Sequence, residues 1–300
     1  MKEAIVELWG AIACGIVALF VLYFAGKKGF FQLPKIEVKY GPLRLWHVLI
    51  AFAIYFGVAI LTGPLIIGFL QNIAPFGFNP KNGIALSTWA NLLVSLLMAF
   101  SLILLCKCLP SLTNKTIWDR KTTPVAAKQD LGMGALAWVI SFPLVLSVSQ
   151  FLDVFVYEVF HVIQLPDQIA VAFLKRAFEQ PFYFILSTFS IVVLAPFIEE
   201  LIFRGFLQSY ARQLLGVKGG IALSSLAFSF FHFSPEQGLG NIPIIGSLFV
   251  LALFLGFLYE RQRSLLAPIS LHACFNAISI LNLYFTGGGA CTLFTRLFLS

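Results

Sequence analysis

Eight long apolar blocks divide the chain, and they restrict it to a fold that places most of its surface in lipid. They run from Ala4 to Ala25, Trp46 to Leu70, Ala85 to Leu105, Leu131 to Phe151, Phe182 to Phe197, Gly219 to Phe233, Ile242 to Leu258 and Leu265 to Phe285. Most approach the roughly 20 residues that a helix needs to cross the hydrocarbon core. Hydrophobic residues fill 59% of the sequence and charged residues only 11%, against about 25% charged in soluble domains. The expectation is an all-α, polytopic membrane protein, a bundle of about eight transmembrane helices. The fifth and sixth blocks are short, and the fifth is extended as a helix through Glu199, Arg204 and Leu215. The first block lacks a clear small-residue cleavage site and is read as a retained helix, not a signal peptide.

The net charge of +7 does not point to nucleic acid, because the basic residues occupy short loops with no interleaved aromatic platform. They read as topology signals. With eight spans and both termini outside, the inner loops collect Lys27, Lys28, Lys35, Lys39 and Arg44, then Lys107, Lys115, Arg120, Lys121 and Lys128. Arg204, Arg212 and Lys218, on the fifth helix and its turn, and Arg261 with Arg263 also count as inward. Only Lys2, Lys81, Lys175, Arg176 and Arg296 fall elsewhere. Cys14, Cys106, Cys274 and Cys291 lie in or beside apolar blocks and Cys108 at a helix end. None has metal-site spacing, so unpaired thiols are expected.

The longest polar stretch, about Pro110 to Asp130, separates a three-helix N-terminal membrane region (1–130), to which no motif assigns a role, from a five-helix core (131–300). A second interruption, Asp153 to Pro181, carries Ile169, Ala170, Phe173, Leu174 and Ala177 at helical spacing, with Lys175, Arg176 and Glu179 on other faces. That pattern suits a helix lying in the membrane interface or packed against the bundle.

Ionisable groups within membrane segments are costly, and the few present are candidates for function. Glu199, Glu200 and Arg204 follow an apolar run; His232 ends a run holding Phe228, Phe230 and Phe231; His272 and Asn276 lie in the last span. Glu200 and Arg204 are four apart and can pair. Glu199 is turned about 100 degrees from Glu200 and is left for general-base work. Pro196 cannot donate to the preceding turn and is expected to kink the helix just before the acids. Gly216, Lys218, Gly219 and Gly220 mark a hairpin turn centred between residues 217 and 218. On that register Glu199 lies about four residues further from the turn than His232, roughly 6 Å, so both can face one pocket. His272 and Asn276, four apart, present two donors of the kind a tetrahedral oxyanion requires. The same pair can equally tie helices together by interhelical hydrogen bonds.

Glu199-Glu200-Leu201-Ile202-Phe203-Arg204 fits EExxxR, Phe228 to His232 fits FxxxH, and His272 to Asn276 fits HxxxN. In this order on successive helices, over about Leu131 to Phe285, they resemble the CPBP family: CAAX proteases and bacteriocin-processing or immunity relatives, also called Abi. The resemblance implies an intramembrane endopeptidase in which Glu199 and His232 activate water and His272 and Asn276 form the oxyanion hole. Glu200, Arg204 and Phe228 are implied as support. No cofactor is implied. The substrate would be a membrane-associated protein or peptide, such as a CAAX-like tail, a pheromone or a bacteriocin precursor, met in the lipid bilayer of a prokaryotic cell. Two rivals stay open: a zinc enzyme with Glu199, His232 and His272 as ligands, although HExxH spacing is missing, and a non-catalytic immunity or scaffold protein. A transporter is disfavoured by the lack of an inverted repeat.

Overall fold

A computed structural model describes residues 2–34, 41–72, 82–118, 127–162 and 168–285. The sequence expectations for Lys35, Lys39, Lys81, Arg120, Lys121, Pro166, Asp167, Cys291 and Arg296 lie outside the described residues. The described chain is helical: α1 (Lys2–Lys27), α2 (Leu45–Asn72), α3 (Gly83–Cys108), the short α4 (Ser111–Trp118), α5 (Ala127–Phe160), α6 (Ile169–Ala177), a long stretch Pro181–Phe231, α9 (Asn241–Gln262) and α10 (Leu266–Phe285).

Seven of these stretches are long and apolar enough to cross a membrane. The stretch Pro181–Phe231 is 51 residues long, far more than one crossing requires. It is broken at Gly216, whose φ of 71° and ψ of −179° belong to a region open essentially to glycine alone. The arms 181–215 (α7) and 217–231 (α8) fold back on each other. The Ser224 hydroxyl donates to the Phe203 carbonyl at 2.9 Å, and the Phe203 and Phe228 rings meet at 5.2 Å. Gly220 sits so close to the Arg212 backbone that a Cβ there would lie 2.9 Å from its nitrogen. The protein is therefore an integral, multi-pass bundle in which seven apolar stretches make about eight passes.

Large apolar side chains face outward along the helices, among them Trp9, Leu19 and Phe20 on α1, Leu65 on α2 and Ile185 on α7. Lipid is the medium that makes such a surface stable. Inside, one core built from Leu201, Ile202, Phe203, Phe206, Phe228, Leu255, Leu258, Leu271 and Phe275 surrounds the polar residues singled out above. Helix α1 lies along α5, where the Ser147 hydroxyl donates to the Ala11 carbonyl at 2.8 Å. Cys14, Cys106, Cys108 and Cys274 are free thiols.

The segments expected on one side of the membrane gather at one end of the bundle. Arg261, near the end of α9, donates from Nε to the Phe30 carbonyl just after α1, at 2.7 Å. The Gly41 amide donates to the Thr116 hydroxyl of α4 at 2.7 Å. Tyr259 Oη bonds the Thr116 and Ile117 carbonyls, both at 2.9 Å, and the Leu265 amide bonds the Trp118 carbonyl at 3.0 Å. Arg212, near the hairpin tip, pairs with Glu260 at 2.8 Å. Arg204, on the same helix as the hairpin tip, is fully buried in the core.

At the opposite end, α3 begins at Asn82, whose side-chain oxygen accepts from the amides of Ile84 and Ala85, the usual N-cap arrangement. Its Nδ2 donates to Gln180 Oε1 at 2.7 Å, fixing the start of α7. Helix α6 buries Val171, Leu174 and Ala177 and leaves Arg176 exposed, as is Glu179 in the turn just beyond it. The amphipathic pattern thus packs against the bundle beside α7.

Candidate active site

Helix α7 carries the acids on a backbone that is not regular. Wide turns, with amides reaching back five residues, occur at Ser190–Leu194 and Leu201–Gln208 and flank Ala195–Glu200. Pro196 has no N–H and so cannot complete an ordinary turn. The Ala195 amide reaches back to the Ser190 carbonyl, and the helix absorbs the proline by widening. Such local widening recurs at functional sites. It also frees acceptors for other helices: Asn276 of α10 donates from Nδ2 to the Ile191 carbonyl at 2.8 Å.

Glu200 is held by two partners, with hydrogen bonds to Oε1 and an ion-pair contact at Oε2. Its Oε1 accepts from Arg204 Nη1 at 3.2 Å and from His272 Nδ1 at 2.9 Å, and its Oε2 lies 3.1 Å from Arg204 Nε. Arg204 also donates from Nη2 to the Ala252 carbonyl of α9 at 3.4 Å and lies over the Phe228 ring at 4.5 Å. Buried charges are tolerable when paired and hydrogen bonded in this way. The network joins α7, α8, α9 and α10 through four side chains.

Glu199, on the adjacent face, is buried to 7% exposure, and its Oε2 has no hydrogen-bond partner. That oxygen stands 3.8 Å from His232 Nε2, beyond hydrogen-bond range. His232 Nδ1 lies 2.7 Å from the Phe228 carbonyl. A carbonyl only accepts, so Nδ1 carries the proton, and in the neutral ring Nε2 presents its lone pair toward Glu199. His232 terminates α8 with φ −89° and ψ 6°, and its ring packs 4.7 Å from Phe228.

The expected hairpin register needs correction here. The chain turns at Gly216 itself, and Glu199 and His232 are nearly equidistant from it along the sequence. The mismatch of about four residues does not exist, and the two side chains lie at one depth. His272 and Asn276 are both buried on α10, yet each already donates within the protein, to Glu200 and to Ile191. The His272–Glu200 contact was not anticipated from sequence; two buried residues 72 positions apart carry no local signal of their pairing. Phe228 touches Arg204, His232 and, at 5.7 Å, His272. Among the described residues, no group of three or more His, Cys, Asp or Glu side chains is arranged to hold a metal ion.

A cavity of about 620 Å³ opens beside His232. Its walls include Ile191, Phe231, Phe233 and Leu248, with Phe173 and Arg176 from α6 and Ser87 and Asn91 from α3. Mostly apolar walls with a few polar groups suit an elongated, partly apolar ligand.

Residues 181–278, about a third of the chain, match the family described as type II CAAX prenyl endopeptidase Rce1-like. The match spans all three motifs and every residue of the cluster. No curated protein and no solved structure gave a significant match to the chain.

Proposed function

Starting from an Rce1-like domain at residues 181–278, we propose that this protein is an intramembrane endopeptidase that hydrolyses a peptide bond of a membrane-associated substrate with water as nucleophile. The observation that carries this reading is the contrast between neighbouring acids. Glu200 is ion-paired with Arg204 and hydrogen bonded through Oε1 to Arg204 and His272, whereas Glu199 Oε2 makes no hydrogen bond and stands 3.8 Å from the lone pair of His232 Nε2. A buried acceptor without a partner is costly, and reserving it for a reactant accounts for it.

In the proposed reaction Glu199 takes a proton from water, and His232, oriented by its Nδ1–H to Phe228, helps to aim that water. The oxygen attacks the scissile carbonyl, and the proton on Glu199 passes to the leaving nitrogen. His272 turns Nε2 toward the substrate. To donate from Nε2 while Nδ1–H bonds Glu200, the ring carries both protons, and Glu200 supplies the counter-charge. Asn276 retains a second N–H beyond the one spent on Ile191. Among the described residues no Ser or Cys stands in a triad with a base, and no acyl intermediate is part of the reading. The cavity beside His232 would hold the substrate.

The test is to compare membrane-associated peptides in cells producing the wild type or Glu199→Gln. Peptides present only with the wild type identify products; identical peptide sets at equal protein levels sink the proposal. A second reading, a non-catalytic immunity or scaffold role, draws on the bonds of Asn276 to Ile191 and of His272 to Glu200, which tie helices together as polar residues in membrane bundles do. It expects Glu199→Gln to keep every biological effect of the wild type. The zinc reading finds no ligand cluster among the described residues; chelation followed by metal analysis of purified protein tests it directly.

A further inference from the structure

The endopeptidase reading leaves α2 without a task, yet α2 packs on the part of α7 that carries the acids. Phe52 meets Phe203 at 5.6 Å. Tyr55, three residues on, sets its ring 5.0 Å from Phe231, the neighbour of His232. Helix α2 runs away from the gathered end of the bundle, while α7 runs toward it. Moving one turn forward from Phe52 and one turn back from Phe203 therefore brings Tyr55 and Glu199 to the same depth, within about 2 Å by helical rise. Glu199 is also the charged group whose field reaches the Tyr55 phenol.

The half-buried phenol makes no hydrogen bond to any described residue, so its O–H is free for a ligand. The other donors at this depth are partly committed: Arg204 to Glu200 and Ala252, His272 Nδ1 to Glu200, and Asn276 to Ile191.

We propose that Tyr55, supplied by the N-terminal region, completes the active site by donating its phenolic hydrogen to the oxygen of the scissile carbonyl. This rests on the endopeptidase reading. As the water oxygen bonds to the carbonyl carbon, the π pair moves onto the carbonyl oxygen and the water proton moves to Glu199. The Tyr55 O–H solvates that developing negative charge and keeps its own proton.

The experiment uses full-length protein in vesicles with an anchored reporter built on a peptide found cleaved in cells with the wild type. Tyr55→Phe retains the ring on Phe231 and removes only the donor. It is expected to lower kcat by about 100-fold with KM within about twofold, the scale for loss of one oxyanion donor. Phe52→Leu, on the same face of α2, controls for packing and is expected to lower Tm while keeping kcat within about threefold. Undiminished kcat in Tyr55→Phe, or a change confined to KM, overturns the assignment while an inactive Glu199→Gln leaves the endopeptidase reading standing. Glu199→Gln as active as the wild type removes both.

Discussion

Two adjacent carboxylates have opposite surroundings, and substitutions should separate them. Glu199→Gln is nearly isosteric and removes the group left free, so activity should fall by at least about 1,000-fold while Tm changes little. Glu200→Gln leaves the Arg204 guanidinium buried without its counter-ion, a loss that typically costs about 3–5 kcal/mol. It should appear first as reduced yield and a lower Tm in detergent. A reversed pattern, a stable but inert Glu200→Gln beside an unstable Glu199→Gln, would exchange the two roles. The pairing of Glu200 with Arg204 was legible in their spacing. The claim of His272 on the same carboxylate was not, because the separation is bridged only by packing of α10 against α7. The wide turn that exposes the Ile191 carbonyl to Asn276 was equally hidden, although Pro196 signalled that a regular helix would fail there.

At the scale of elements, the hairpin of α7 and α8 aligns Glu199 with His232. Its pivot demands positive φ at Gly216, and a side chain there should cost about 1–3 kcal/mol. Gly216→Ala is therefore expected to lower Tm. If the strain is relieved by moving the pivot to another of the nearby glycines, activity should fall as well, because the register shifts with it. Equal Tm and activity in the variant would show that the turn is not register-setting. The cluster of three glycines and a lysine announced a hairpin from the sequence, but not which glycine would take the positive φ. A displacement of the pivot by under two residues accounts for the whole discrepancy between the expected and observed depths. The apolar blocks, by contrast, specified the spans well, since a membrane leaves a backbone few alternatives to helix.

Across the whole molecule, distant segments meet at one phenol. Tyr259 of α9 bonds Ser209 of the hairpin at 2.9 Å and two carbonyls of α4, while Glu260 beside it holds Gln208 and Arg212. Tyr259→Phe keeps the ring and leaves those buried acceptors short of partners. It should destabilise the protein by about 1–3 kcal/mol and speed proteolysis in the 109–118 segment, measurable by limited digestion in detergent. Cleavage no faster than in the wild type would mean that α4 is held by other contacts. None of this end-on network was legible beforehand, because Tyr259 reads in sequence as one more aromatic residue in an apolar span.

The arm 217–231 is short, about 22 Å at helical rise, against a hydrocarbon thickness near 30 Å. Beyond it the chain passes through Phe233 and Ser234 into a 3₁₀ helix at Pro235–Gly240, and Asn241, at the start of α9, bonds both the amide and the carbonyl of Ser234. On that side the surrounding bilayer must dip to meet the protein or leave polar backbone facing acyl chains. The host membrane thus becomes a variable of the reaction: vesicles of progressively longer-chain lipids should hold His232 ever further from bulk water and slow turnover, whereas shorter chains should bring the surface down to it.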